Sequence, residues 1–339
     1  MKVKDHVLRI LAERDGVSGR DLVRRFGISR QALNVHLKTL IAAGRVSKDG
    51  VTKGVVYRLA SRAARATDIS RFRKNYPLKG LQEDRVFEEV ALFMNMEART
   101  AANVSDIIRY AFTEMLNNAI DHSHSATCRV EFVLDPYLCS FRIRDFGIGL
   151  FHSIASKFRL PDENAAVGEL LKGKTTTMSR KHTGEGIFFA SKAADAMSFR
   201  SHAIRLIFDN RRKDTFVEQA RPVRGTDVAF SISRKSKRQL KHVFEEFAPE
   251  RHEYRFEKTR VLVRMFQKDY VSRSEARRLL AGLDKFKEIE LDFSGVTSLG
   301  QGFADEVFRV FAKSHPGIFI RTLGLRPALE PVIRHAVDN

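Results

Sequence analysis

Asn103–Ser123 reads NVSDIIRYAFTEMLNNAIDHS. Ile107, Ile108, Ala111, Met115 and Ala119 recur at the three- and four-residue spacing of an amphipathic helix. Glu114 and Asn118 are four apart, so they share one face of it. The carboxamide oxygen of an asparagine is a hard ligand of the kind Mg²⁺ prefers. A carboxylate one turn away can orient or deprotonate a nucleophile. Glu and Asn are common on exposed helix faces, so the pair acquires meaning only from what surrounds it.

Downstream, Arg142–Gly149 reads RIRDFGIG. Ser140–Arg144 predicts a strand that runs into Asp145, which can accept a hydrogen bond from an exocyclic amine. Gly147 and Gly149 let the backbone approach a flat ring closely. Alone, the motif is also compatible with an ordinary strand-to-turn connection. In His182–Lys192, HTGEGIFFASK, Gly184 and Gly186 run into an apolar helical segment. Amides at such a helix start form an anion site. The preceding Lys172–Lys181, KGKTTTMSRK, is basic and rich in hydroxyls and reads as a lid over phosphates. Gly225 and Thr226 then enter a strand, Asp227–Ile232.

In this order the four motifs resemble the GHKL superfamily of histidine-kinase-like ATPases over residues 70–235. The resemblance implies a Bergerat-type α/β sandwich that binds ATP with Mg²⁺. It implies Asn118 as the Mg²⁺ ligand and Glu114 as the catalytic carboxylate. Asp145 would hold the adenine amino group, with Thr226 beside it through a water, and Gly147 and Gly149 would line the adenine. Gly184 and Gly186 would cradle the phosphates, with Lys174, Arg180 and Lys181 reaching them from the lid. Standard histidine kinases carry an acceptor histidine before this domain. Here no histidine occurs between His36 and His122, so a self-contained autokinase is not expected. His122 and His124 read as surface histidines at a helix end rather than as metal ligands.

Toward the N-terminus, Val7, Leu8 and Leu11 predict a first helix. Ser18-Gly-Arg-Asp21 is a capping-box-like start for a short helix through Phe26. Ser29 is placed to cap the next helix, Arg30–Ala43, which Gly44 ends. Leu33, Leu37, Leu40 and Ile41 fall on one face of that helix, and Arg30, Gln31, Asn34 and Lys38 on the other. Arg45–Ser47 and Val55–Leu59 predict a hairpin. The first sixty residues resemble a winged helix-turn-helix. That implies a third helix in the major groove of double-stranded DNA, with Arg30, Gln31, Asn34 and Lys38 facing bases and phosphates. Lys48, Lys53 and Arg58 of the wing would hold phosphates. Residues 1–66 carry 15 Lys and Arg against 5 Asp and Glu, which concentrates the charge of a chain whose net charge is +19. Such a balance points to nucleic acid first and an anionic membrane surface second. Winged helices also serve as protein-docking modules.

Residues 254–339 alternate strand and helix: strand Arg260–Phe266, helix Ser272–Lys287, strand Ile289–Phe293, helix Phe303–Lys313, strand Ile318–Leu323, helix Ala328–Val337. This predicts a small α/β layer domain. Residues 290–306, ELDFSGVTSLGQGFADE, resemble the strand–loop–helix of STAS domains. Members that accept phosphate do so on a serine at the helix start. Here that place reads Gly300-Gln301-Gly302, with Thr297 and Ser298 nearby, so packing and docking of a regulatory protein are the expected roles.

The chain has 339 residues, 43% of them hydrophobic, enough for several cores. The expected organisation is multidomain α/β: a winged helix (1–60), a linker (61–69), a GHKL ATP-binding domain (70–235), a connecting helix (236–253) and a STAS-like domain (254–339). Two cysteines, Cys128 and Cys139, suit a reducing cytosol and read as small apolar fillers. No apolar run has the length of a membrane span and the start lacks a signal-peptide pattern, so a cytoplasmic location without a membrane partner is expected. The expected function is an ATP-binding, ATP-hydrolysing, DNA-binding transcription regulator. The alternative is a protein kinase acting on a separate partner. A homodimer is left open.

Overall fold

The computed structural model describes residues 3–14, 16–49, 55–60, 69–173, 185–249, 256–265 and 269–338. The chain forms two compact units, Met1–Ile69 and Ser70–Asn339, each with its own hydrophobic core.

The first unit runs α1 (Val3–Glu13), β1 (Val17–Ser18), α2 (Gly19–Phe26), α3 (Arg30–Ala42), β2 (Val46–Asp49) and β3 (Val56–Leu59). Ser18 Oγ accepts from Asp21 N at 3.1 Å and Ser29 Oγ from Ala32 N at 3.2 Å. Each cap satisfies an orphan amide, worth about 1 kcal/mol. Leu11, Leu22, Leu33, Leu37 and Leu40 pack with Val46 and Tyr57 into the core. The sheet order is β1-β3-β2. Strand β1 is an addition to the expected hairpin: it pairs Val17 with Tyr57 and Ser18 with Val56.

The second unit is built on a five-stranded antiparallel sheet of order β4-β5-β6-β8-β7. Its strands are β4 (Ser70–Pro77), β5 (Thr127–Leu134), β6 (Leu138–Asp145), β7 (Ala196–Asp209) and β8 (Asp214–Ser233). Helices α4 (Glu83–Met94), α5 (Met96–Arg99), α6 (Ala102–His122), α7 (Leu150–Phe158), α8 (Glu163–Lys172), α9 (Gly186–Ala193) and α10 (Leu240–Phe247) complete this half. Alternation along the strands sends Val130, Phe132, Phe141, Ile143 and Phe230 inward. There Phe112 of α6 meets Phe132 at 5.2 Å and Phe141 at 5.4 Å between ring centroids. The expected strand Asp227–Ile232 is the last part of the 20-residue β8. Register shifts at Ser201–Ile204 bend the β7–β8 hairpin, and its distal part returns until Asn210 N donates to Asp195 O at 3.0 Å.

The remaining elements form a parallel sheet of order β13-β11-β9, from β9 (Lys258–Leu262), β11 (Glu288–Asp292) and β13 (Phe319–Leu323). A two-stranded parallel pair, β10 (Asp269–Tyr270) and β12 (Ser298–Leu299), lies alongside the helices of this layer. The helices are α11 (Arg273–Leu280), a composite α12 (Gln301–Ala304, the π-helical Asp305–Phe311 and Ala312–Ser314) and α13 (Glu330–Asp338). The helix expected over Ser272–Lys287 ends at Leu280. Ala281 turns to φ −51°, ψ 126° and Gly282 takes φ +71°, so Leu283 and Phe286 reach the core from turns. The strand expected over Arg260–Phe266 starts two residues earlier and gives way to a 3-10 turn at Val263–Met265; Phe266 lies outside the described residues.

The parallel layer and the five-stranded half share one core. Phe256 lies 4.5 Å from Phe188, 5.0 Å from Phe189 and 5.3 Å from Phe286 between ring centroids. Lys172, the last residue of α8, is buried. Its Nζ donates to Glu169 Oε1 (2.6 Å), Ala281 O (2.8 Å) and Arg278 O (3.2 Å), and its carbonyl accepts from Thr259 Oγ1 at 2.6 Å. The lysine that opens the lid-like stretch in the sequence is thus a clamp between α8 and the end of α11. A buried ammonium needs this many acceptors to offset its lost hydration.

Candidate nucleotide site

A cavity of about 410 Å³ opens among α6, the ends of β6 and β8, and the first turns of α7 and α9. It lies within the 300–1,000 Å³ range of small-molecule sites. From α6 come Tyr110, Glu114, Asn117, Asn118 and His122, from β6 Asp145, and from β8 Thr226.

Asp145 is 4% exposed. Its Oδ1 accepts from Gly147 N at 3.0 Å and from Thr226 N at 3.2 Å, which fixes the plane of the carboxylate. Burial pushes its pKa above the usual carboxylate range, against the opposing pull of these hydrogen bonds. The Thr226 hydroxyl oxygen accepts from Leu150 N at 2.9 Å, tying the start of α7 to β8. Gly225 takes φ +75°, and a side chain there would collide with Asp145.

The two glycines after Asp145 divide their work. Gly149, at φ +87°, lines the cavity, and a Cβ on it would lie 2.6 Å from Ser201 Oγ. Gly147 packs instead against the backbone carbonyl of Ser123, which also accepts from Ile148 N at 2.8 Å. It anchors the loop to the end of α6 and is not among the cavity-lining residues. Gly186 lies on the cavity wall with the Glu114 carboxylate directly against it.

Glu114, Asp145 and Glu185 line the cavity together, and among the described lining residues there is no Lys or Arg. Burial, then the charges of Glu114 and Glu185, drive the Tyr110 pKa far upward. An anionic ligand entering such a wall needs a cation. Among the described residues no group of three His, Cys, Asp or Glu is arranged to hold a metal by itself. The Asn118 carboxamide, an oxygen donor of the kind Mg²⁺ takes alongside phosphate and water, lies on the same wall.

Of the residues singled out in the sequence, Glu114, Asn118, Asp145, Gly149, Gly186 and Thr226 come together on one cavity. Lys174, Arg180, Lys181 and Gly184 lie outside the described residues. His122, expected at the surface, lines the cavity, whereas His124 is exposed. Tyr110 and His122 were legible as the positions four before Glu114 and four after Asn118. Ser153, Ile154 and Phe244 carried no local signal. In the first unit, Arg30, Gln31, Asn34 and Lys38 are exposed on α3 beside Val35, and Lys48 is exposed on β2. Lys53 lies outside the described residues.

Three family models match the chain. Residues 6–54 match the MarR family, residues 84–207 the histidine kinase-like ATPase domain, and residues 275–326 a STAS-like domain of unknown function. A search of the curated proteins gave no match. No helix among the described residues is long and apolar enough to cross a membrane. From its N-terminus the chain therefore joins a MarR-type winged helix, a histidine kinase-like ATPase domain and a STAS-like domain, in that order.

Proposed function

We propose that this chain is a cytoplasmic transcription regulator that binds and hydrolyses ATP with Mg²⁺ and reads duplex DNA through its first unit. One observation carries the nucleotide half: Glu114, Asn118, Asp145 and Thr226 line a single cavity of nucleotide size. In this reading residues 70–235 hold the nucleotide, 1–60 read DNA, 61–69 link the two, 236–253 connect onward and 254–339 dock a regulatory protein.

Asp145 accepts a hydrogen bond from the adenine amine, held in plane by Gly147 N and Thr226 N. Gly149 lets the ring approach the backbone, and Gly186 leaves room for phosphate beside α9. Asn118 would hold Mg²⁺ through its amide oxygen, and the ion would supply the positive charge that offsets the triphosphate. Glu114 accepts a proton from a water that attacks the γ-phosphorus, while the bond to the ADP oxygen breaks. Lys174, Lys181 and Gly184 are assigned to the phosphates on the family resemblance alone. On DNA, Arg30, Gln31, Asn34 and Lys38 meet the major groove, and Lys48 and Lys53 the backbone. ATP shifts DNA binding only as far as it binds one conformation better than another.

Titration calorimetry of the whole chain with ATP and Mg²⁺ tests this. Micromolar or tighter binding that disappears in Asn118→Ala supports it. Unchanged affinity in that variant overturns the site.

A further inference from the structure

The outer face of the five-stranded sheet, away from the helices, is built differently from an ordinary solvated surface. Directly paired residues of neighbouring antiparallel strands share a face. The registers therefore place Arg71 and Arg73 of β4, Arg129 of β5, Arg142 and Arg144 of β6 and Arg200 of β7 together on it. The same face holds two acids, Glu131 and Asp227, and no lysine. A solvated face has no need of this bias and ordinarily mixes signs.

Two of the arginines are neutralised. Arg73 pairs with Glu131 at 3.1 Å and Arg142 with Asp227 at 2.7 Å. Among the described residues, Arg71, Arg129, Arg144 and Arg200 have no carboxylate within ion-pair distance. Arg144 and Arg200 stand directly across from Asp227 in register on the two flanking strands, yet its carboxylate pairs with Arg142 and with neither of them. The Nε atoms of Arg144 and Arg200 are buried without a hydrogen-bond acceptor, so the sheet itself leaves these two guanidinium groups unsatisfied. Beside them runs a groove of about 370 Å³ lined by Ser140, Ser198, Ala229 and Ser231 together with Glu131, Arg142 and Arg205, the last paired with Glu218 at 3.3 Å. Small side chains let a ligand lie close to the sheet; the Ser140 and Ser231 hydroxyls donate to Val133 O and Ala196 O, which leaves that of Ser198 to donate to it.

We propose that this sheet face is a second DNA-binding surface, which grips the phosphate backbone of a duplex without reading its sequence. The charge favours a polyanion, arginine without lysine suits the forked geometry of phosphate recognition, and the same chain carries a MarR-type DNA reader. The surface shares no residue with the nucleotide cavity, so it stands apart from the ATP reading; it rests on the DNA-binding half of the proposed function.

The experiment uses the full chain and fluorescence anisotropy with a duplex of arbitrary sequence at several salt concentrations, without nucleotide. The background is Arg30→Glu with Lys38→Glu, which silences the winged helix. Residual, steeply salt-dependent binding is expected. Adding Arg71→Gln, Arg129→Gln and Arg144→Gln should weaken it at least tenfold at low salt. The log–log salt slope should become shallower by about 0.9 for each phosphate that the variant no longer neutralises. Arg73→Gln combined with Glu131→Gln, which removes a neutral pair, should leave the slope unchanged. If the triple variant is misfolded by circular dichroism, the exposed single substitution Arg71→Gln carries the test, with a slope change of about 0.9. Unchanged affinity and slope overturn the proposal. So does a result in which the arginine variants keep DNA but lose binding to polyglutamate at the same salt, because the occupant is then an acidic protein.

Discussion

A methyl group on Gly186 would overlap the Glu114 carboxylate. The first turn of α9 and the middle of α6 thus meet with only a bare backbone on one side. Gly186→Ala must therefore push the helices apart or turn Glu114 out of its place. The carboxylate is the far end of a flexible side chain on an open cavity, so the displacement falls mainly on Glu114 and the denaturation midpoint should stay near the parental value. Phosphate release should fall at least tenfold. Parental turnover in this variant means that Glu114 acts from another position or not at all.

Glu114 and Asn118 should separate in their effects. Glu114→Gln keeps the shape of the site and is expected to bind ATP near the parental affinity while losing turnover, by about 10²-fold or more. Asn118→Ala is expected to lose Mg²⁺-dependent binding itself. ATP labelled on its γ-phosphate, incubated with and without cell extract, reports where the phosphoryl group goes. Free phosphate supports hydrolysis, and label on a polypeptide replaces that reading with a protein kinase.

Asp145 gives a prediction with a sign in pH. Burial raises its pKa in the folded chain, while the unfolded chain keeps an ordinary aspartate. Above the raised value the fold carries a costly charge, and as pH falls through it the carboxyl protonates and the fold gains stability relative to the unfolded chain. Asp145→Asn should therefore melt higher than the parent at neutral pH, with the difference shrinking as pH is lowered. ATP affinity should nonetheless drop at least tenfold. Both backbone donors use Oδ1, so an amide there turns its NH₂ toward the adenine amine, donor against donor. A difference in melting temperature that does not vary with pH contradicts the charge argument.

Much of this architecture was legible because its signals are local. Ser18 and Ser29 announce two helices, and the spacing of Glu114 and Asn118 fixes a shared face whatever lies opposite. The unread parts depend on distant partners. Strand β1 exists because Val17 and Ser18 find Val56 and Tyr57. Gly225 and Thr226 sit inside a 20-residue strand rather than at its start, because the bend in the β7–β8 hairpin comes from register, which a linear pattern does not display. The helix from Ser272 stops early because Gly282 takes a left-handed conformation, although Leu283 and Phe286 continue a plausible apolar series. Lys172 carried the opposite meaning from its neighbours: a basic residue in a basic stretch, yet buried, with two main-chain acceptors more than a hundred residues away in sequence.

Lys172→Met tests that clamp. The substitution keeps the bulk of the stem but removes the donor that Glu169 and the carbonyls of Arg278 and Ala281 share. Breaking a buried, hydrogen-bonded charge should cost about 3 kcal/mol, measured by chemical denaturation of the full chain. A loss under about 1 kcal/mol means that water replaces the ammonium at little cost.

The ring of Phe256 bears on how this chain can be divided. It stands between α9, which also supplies a wall of the cavity, and Phe286 beneath the parallel sheet. A protein shortened before Phe256 would strip one ring from Phe188 and Phe189 and take the Arg278 and Ala281 carbonyls away from Lys172. The STAS-like layer is thus the foundation on which the nucleotide-facing helix is laid, and anything that grips its far side pulls on the same masonry.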